Sequence, residues 1–243
     1  MRGAQQRTAP ARGSRRLIAV DGKTLRGSGT RGQPGRHLLA ALDHGRGVVL
    51  GQADVQAKTN EIPMFAMLLD RIDLAGAVIT AEALHAQTAH AQYLGGTRRA
   101  DYLITVKRNQ PGLHAQLAGL PWRQIPAADL RHERRPLNGR NRKWSSETVC
   151  AVTSLTAARA SPARLAAILR GHWLIENTLH WVRDMTFGED SSLVRTRNGP
   201  RVMASLRNLA ITILRLTGHA RIAAALRYHA RQPGRPLQTI MHS

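Results

Sequence analysis

Apolar and polar positions alternate between two periods along this chain. The first part follows period 2, broken by Gly-rich turns. Leu17-Ile-Ala-Val-Asp21 is a short apolar run ending in a carboxylate, and Gly22 to Gly27 turns the chain. His37 to Leu42 and Val48 to Gln56 are further candidate strands, separated by Asp43-His-Gly-Arg-Gly47. Three strands joined this way predict an antiparallel meander. Period 3.6 then appears. Asn60 can cap a helix carrying Glu61 and Pro63 in its first turn and running to about Asp70. Gly76 to Thr80 is a fourth strand, followed at once by Glu82. His85 to Leu94 is a second helix, Tyr102 to Val106 a fifth strand, and Leu113 to Leu120 a short helix.

Residues 121–147 break the pattern with three Pro, two Trp and the basic cluster Arg131-His-Glu-Arg-Arg135, so they read as an insertion or linker. Ser145 to Ser154 can return as one strand. Ser161 and Pro162 open a further helix as N-cap and first residue. From His172 to Phe187 no Pro or Gly intervenes, which predicts about four turns of helix. At about 100° per residue, His172, Glu176 and His180 share one face, with Asp184 a turn further on. Trp173 and Trp181 are expected to pack this helix into the core. Val202 to Leu216 is an amphipathic helix, and Ala223 to Tyr228 a candidate last one. The chain thus divides into a basic start (1–16), a first half-domain (17–120), the insertion (121–147), the remainder of the domain (148–230) and a tail (231–243).

The order βββαβαβα is that of a ribonuclease-H-like domain. The expected fold is α/β, a mixed sheet with flanking helices and a C-terminal helical segment. In that architecture carboxylates lie on the first strand, just after the fourth, and on a later helix. Those places hold Asp21, Glu82 and Glu176. Taken alone, Asp21 reads as a turn-capping residue before Gly22 and Glu82 as a first-turn helix acid. The stripe of Glu176 and its histidines reads alone as a site or as a solvated face. Three acids at three expected places point instead to shared divalent cations. Mg²⁺ prefers oxygen ligands and retains waters, and two ions about 3.5–4 Å apart can activate a water or a DNA 3′-hydroxyl. His172 and His180 can orient Glu176 or touch phosphate. Zinc is not favoured, because spaced carboxylates suit hard ions.

Charge changes the picture further. The 243 residues carry 36 Lys and Arg against 15 Asp and Glu, a formal charge of +21 spread along the chain. Such a field favours polyanions, foremost nucleic acid. Cys150 is the sole cysteine, which leaves no disulfide framework and no thiolate zinc site. No apolar run approaches a membrane span, and no apolar segment follows the basic start to make a secretion signal. The expected setting is the bacterial cytoplasm, in association with the nucleoid. Candidate DNA contacts are Lys23, Arg26, Lys107, Asn109, His172, His180, Arg195, Arg197 and Arg201.

Several motifs carry a family resemblance. They are Ile18 to Gly27 (IAVDGKTLRG), Lys58 to Ile62 (KTNEI), Val78 to Gln87 (VITAEALHAQ), Asp101 to Gln110 (DYLITVKRNQ), and the run from Arg170 through Phe187-Gly-Glu-Asp190. Over roughly residues 17–230 the chain resembles the DDE transposases of bacterial insertion sequences, in the H-repeat-associated (ISAs-type) group. The resemblance implies metal-dependent DNA cleavage and strand transfer. Asp21, Glu82 and Glu176 would be the catalytic acids and the ligands of Mg²⁺ or Mn²⁺, with two ions expected. Double-stranded DNA, both element ends and target, would be the partner, bound by a homodimer. Three departures stand out. Glu82 occupies the place of the family's second Asp. Only a basic segment of about sixteen residues precedes the first strand, where the family carries a helical region, so the chain reads as N-terminally truncated. The segment before the final helix is short. A catalytically inactive DNA-binding remnant is therefore the alternative expectation.

Overall fold

The computed structural model describes residues 15–55, 60–124 and 148–241. The basic start up to residue 14, Lys58 and Thr59 of the KTNEI motif, and most of the 121–147 insertion lie outside these. Three strands come first: β1 (Leu17–Thr24), β2 (His37–Asp43) and β3 (Val49–Val55), paired antiparallel as a meander. Next come α1 (Ile62–Leu69), β4 (Val78–Ala81), α2 (Thr88–Gln92), β5 (Asp101–Val106) and α3 (Pro111–Ala118). β6 (Cys150–Thr153) returns antiparallel to β5, and α4 (Pro162–His172), α5 (Gly199–Leu216), α6 (Ile222–Ala230) and α7 (Gly234–Met241) follow. The sheet order is β3-β2-β1-β4-β5-β6, with β1–β4 and β4–β5 parallel. This is the mixed sheet with flanking helices that the element order predicts.

Local signals act where expected. The Asn60 side chain accepts from the Ile62 amide at 3.0 Å, and the Ser161 hydroxyl accepts from the Arg164 amide at 3.3 Å, each satisfying an amide at a helix start. The 231–243 segment contains α7, which the reading of it as a tail did not include. Period 2 in β1 divides its side chains between two cores. Ile18 and Val20 pack with Phe65, Leu68 and Leu69 of α1. Ala19 faces the other way, into a layer with Ile175, Leu179 and Val182 of the acidic helix and Ile211 and Leu214 of α5. Burial of each such large side chain is worth about 1.5–3 kcal/mol. The same alternation sends Asp21 toward the acidic helix and leaves Gly22 against α1.

The acidic helix departs from a regular α-helix. After α4 ends at His172 the chain continues helically, but Glu176–His180 and Val182–Thr186 are π-turns. Each bonds i to i+5, as in Trp181 N–H to Glu176 O and Phe187 N–H to Val182 O. Wider turns reduce the ~40° drift that residues four apart show in an α-helix. Glu176 and His180 therefore stay more nearly above one another. The two tryptophans do not enter the core: Trp173 is 58% and Trp181 55% exposed. His172, Ile175, Leu179, Val182 and Arg183 form the buried face, and the tryptophans fall opposite it.

Candidate active site

β1 and β4 run parallel with Val20 beside Ala81, so Asp21 and Glu82 are the next residues on neighbouring chains about 4.8 Å apart. Ala19 and Thr80 both face the acidic helix, and so by alternation do Asp21 and Glu82. Thr80 Oγ1 lies 3.0 Å from His172 Nδ1, which fixes the end of α4 over this edge. One turn on, Glu176 comes down to Asp21. Among the described residues, Asp21, Glu176 and His180 form a group whose ligand atoms all lie within 4.8 Å of one another.

Electrostatics mark the same place. Burial, then the charge of Glu82, with smaller contributions from Glu61 and Glu176, pushes the Asp21 carboxyl up to about 7. His180 is driven down to about 3 by burial and by the nearby Arg183 and Lys23 cations, so its ring is neutral. His180 Nε2 is buried without a hydrogen-bond partner, 3.9 Å from Asp21 Oδ2. Two carboxylates and one neutral imidazole, crowded so that one carboxyl is pushed well above the usual carboxylate range and a ring nitrogen is orphaned, fit a divalent cation. Glu82 is not in the close group. Its side chain is 42% exposed and its Oε2 lies 3.6 Å from Lys107 Nζ.

The residues expected to meet DNA divide in two. Lys23 Nζ is bound to Asp184 Oδ2 at 2.6 Å and lies 3.9 Å from Asp190, tying β1 to the acidic helix. Asn109 Nδ2 donates to Ala83 O at 3.0 Å and holds the turn after Glu82. Arg195 Nε donates to Gly27 O at 2.9 Å. His172 and His180 are buried and face the sheet. These five are occupied within the fold, because each sits where a carboxylate, carbonyl or hydroxyl must be satisfied or the packing encloses it. Arg26, Lys107, Arg197 and Arg201 are exposed, the first two just beyond β1 and β5, Arg197 in the loop before α5 and Arg201 in its first turn. Sequence reasoning gave no role to Arg183. It is fully buried and pairs with Glu189 Oε2 through Nε at 2.8 Å, while Arg207 reaches Glu189 Oε1 at 3.1 Å. No pattern along the chain distinguishes this arginine from the exposed ones.

The mixed sheet thus carries carboxylates at the ends of two neighbouring strands and a third on the helix that faces them. Residues 12–213 match the family described as "Transposase DDE domain", and the chain belongs to that family, in its H-repeat-associated group. It is 29% identical over 241 residues to "Putative transposase YncI" of Escherichia coli O157:H7, covering 82% of this chain and 62% of that protein. It is 26% identical to "H repeat-associated putative transposase YhhI" of Escherichia coli strain K12, covering 82% of this chain and 64% of that one. The chain thus spans less than two thirds of the length of these relatives. Its fold is also that of the piggyBac transposase, solved by cryo-EM in a synaptic complex with hairpin DNA. The TM-score is 0.51 at 15% identity, over 87% of this chain and 48% of that one. No helix among the described residues is long and apolar enough to cross a membrane.

Proposed function

We propose that this chain catalyses metal-dependent cleavage and strand transfer of the DNA of an insertion sequence, with Asp21, Glu82 and Glu176 as its acids. The convergence of Asp21 and Glu176 within 4.8 Å, from a strand end and a helix far apart in sequence, carries this reading. Asp21, Glu176 and His180 would hold a Mg²⁺ or Mn²⁺ ion, and Glu82 would help hold a second. A divalent ion bound there supplies Lewis-acid activation of a water or 3′-hydroxyl and stabilises the leaving oxygen. The protein's part is positional. Lys23 bonded to Asp184 fixes β1 against the acidic helix, and His172 on Thr80 sets the height of Glu176 above the strand ends. Exposed Lys107, Arg26, Arg197 and Arg201 would contact the DNA backbone along this edge, which places register without reading bases. The setting that follows is the bacterial nucleoid, with two copies on paired element ends.

A nicking assay on duplex DNA carrying the element's ends, with Mg²⁺ or Mn²⁺, tests this. Wild-type protein nicks, and Glu176→Gln lowers the rate by at least about 10²-fold, since a one-charge change at this site removes a ligand at small steric cost. One observation favours a second reading. Glu82 leans toward Lys107 and is one methylene longer than an aspartate. In a DNA-binding remnant without catalysis, the protein would bind duplex with strong salt dependence and nick it with neither ion.

A further inference from the structure

Behind Asp21, on the opposite face of the sheet, lies a carboxylate that has no part in the proposed metal site. Glu61 immediately precedes α1, and its side chain is 16% exposed. Its Oε1 is 2.6 Å from His37 Nε2, and its Oε2 is 3.0 Å from His85 Nε2. One histidine lies on β2, beside the strand of Asp21, and the other in the turn after Glu82. His37 sits opposite Thr24 in the β1–β2 register, and its Nδ1 lies 2.8 Å from Thr24 Oγ1. With Nε2–H donated to Glu61, that ring accepts from the Thr24 hydroxyl. His85 is the third residue after Glu82, and its amide closes a 3₁₀ turn onto Glu82 O at 2.9 Å. The His85 ring is buried against Phe65 of α1, centroid to centroid 4.6 Å. One carboxylate is therefore bonded to His37 of β2, which reaches the strand of Asp21 through Thr24, and to His85 in the turn after Glu82.

Gly22 gives a second, independent observation. A methyl group at this position would overlap both Glu61 Oε1 and His37 Nε2. The residue after Asp21 must lack a side chain because the Glu61–His37 pair lies directly on the backbone there. The grip is strong. Burial alone would raise the Glu61 carboxyl, yet the two imidazole hydrogen bonds outweigh it and hold the group at about 2.

We propose that Glu61, with His37 and His85, is a positioning residue that fixes the separation of Asp21 and Glu82, and so sets the affinity of the site for divalent cations. The proposal rests on the reading of Asp21, Glu82 and Glu176 as metal ligands. It gives a physical role to the glutamate of the KTNEI motif and to the histidine that follows Glu82 by three. Glutamine at 61 would keep the size of the side chain. Its amide NH₂ would face one imidazole donor, so one of the two links would break.

Mn²⁺ binding to the purified full chain, followed by the electron paramagnetic resonance signal of free Mn²⁺, tests this without reference to cleavage. Glu61→Gln and His37→Leu are each expected to weaken Mn²⁺ binding about tenfold, the scale of outer hydrogen-bond partners at metal sites. His37→Gln retains an N–H donor and is expected to stay within about twofold of wild type. If Glu61→Gln fails to fold, His37→Leu decides alone, since His37 is partly exposed. Unchanged Mn²⁺ affinity in these variants, with or without a lower melting temperature, overturns the proposal provided Glu176→Gln loses binding. Unchanged affinity in Glu176→Gln as well, or no binding by wild-type protein, overturns the metal-site reading and this proposal with it.

Discussion

Glu82 and His172 show how much a single side chain decides. Glu82 occupies the strand end beside Asp21, but its extra methylene carries the carboxylate out to Lys107, where it is 42% exposed. Shortening it should draw the group back toward Asp21. Glu82→Asp is expected to raise the Mg²⁺-dependent nicking rate, by up to about 10²-fold if misplacement is the limiting defect. A flat or lower rate would show that this acid is not the weak point. His172 makes a pH prediction. Burial, chiefly, depresses its ring to about 4, so the folded protein keeps it neutral while the unfolded chain protonates near 6.5. Its contribution to stability is complete above about pH 6.5 and is lost as pH falls toward 4, a change of about 3 kcal/mol. Urea unfolding between pH 7.5 and 4.5 measures it. His172→Gln, which can still bond Thr80, should flatten that part of the profile; an unaltered slope would assign the acid sensitivity elsewhere.

At the scale of the element, the acidic helix is the informative one. Its uninterrupted composition made it legible as a helix, and His172, Glu176 and His180 were legible as one face. The π-turns and the outward tryptophans were not. Trp173 and Trp181 are eight residues apart and equally apolar, and only the packing of Ile175, Leu179 and Val182 on the sheet decides which side is buried. Calorimetry separates the faces. Trp173→Ala and Trp181→Ala should each move the melting temperature by less than about 2 °C, as exposed positions do. Glu189→Ala strands Arg183, fully buried, without its counter-charge. That should cost roughly 3–5 kcal/mol, or about 10 °C in a chain of this size. Comparable losses for the tryptophans and Glu189 would contradict this assignment of the buried face.

For the whole molecule, the field matters more than any one pairing. A formal charge of +21 favours polyanions wherever cations stay exposed, and Arg26, Lys107, Arg197 and Arg201 stay exposed. Binding to a short duplex should weaken by roughly 10³-fold between 50 and 200 mM salt if six or so phosphates are neutralised. Arg197→Ala with Arg201→Ala should reduce the slope of log K against log salt by about two, one for each phosphate that is no longer neutralised. A slope identical to wild type would move the DNA path away from the start of α5.

By itself the sequence determined the alternation of short strands and helices, hence the mixed sheet, and the three positions at which acids fall. Periodicity is a local property and survives being read along the chain. It also carried the family, through motifs spaced along most of the length. Tertiary structure alone decided which polar groups meet. It paired Lys23 with Asp184, enclosed Arg183 with Glu189, turned the tryptophans outward, and set Glu61 behind Asp21 between two histidines. Those outcomes depend on which faces the sheet brings together across many tens of residues. Lysine, arginine or glutamate has the same formula whether solvated or buried, so their sequence neighbours do not reveal which it is.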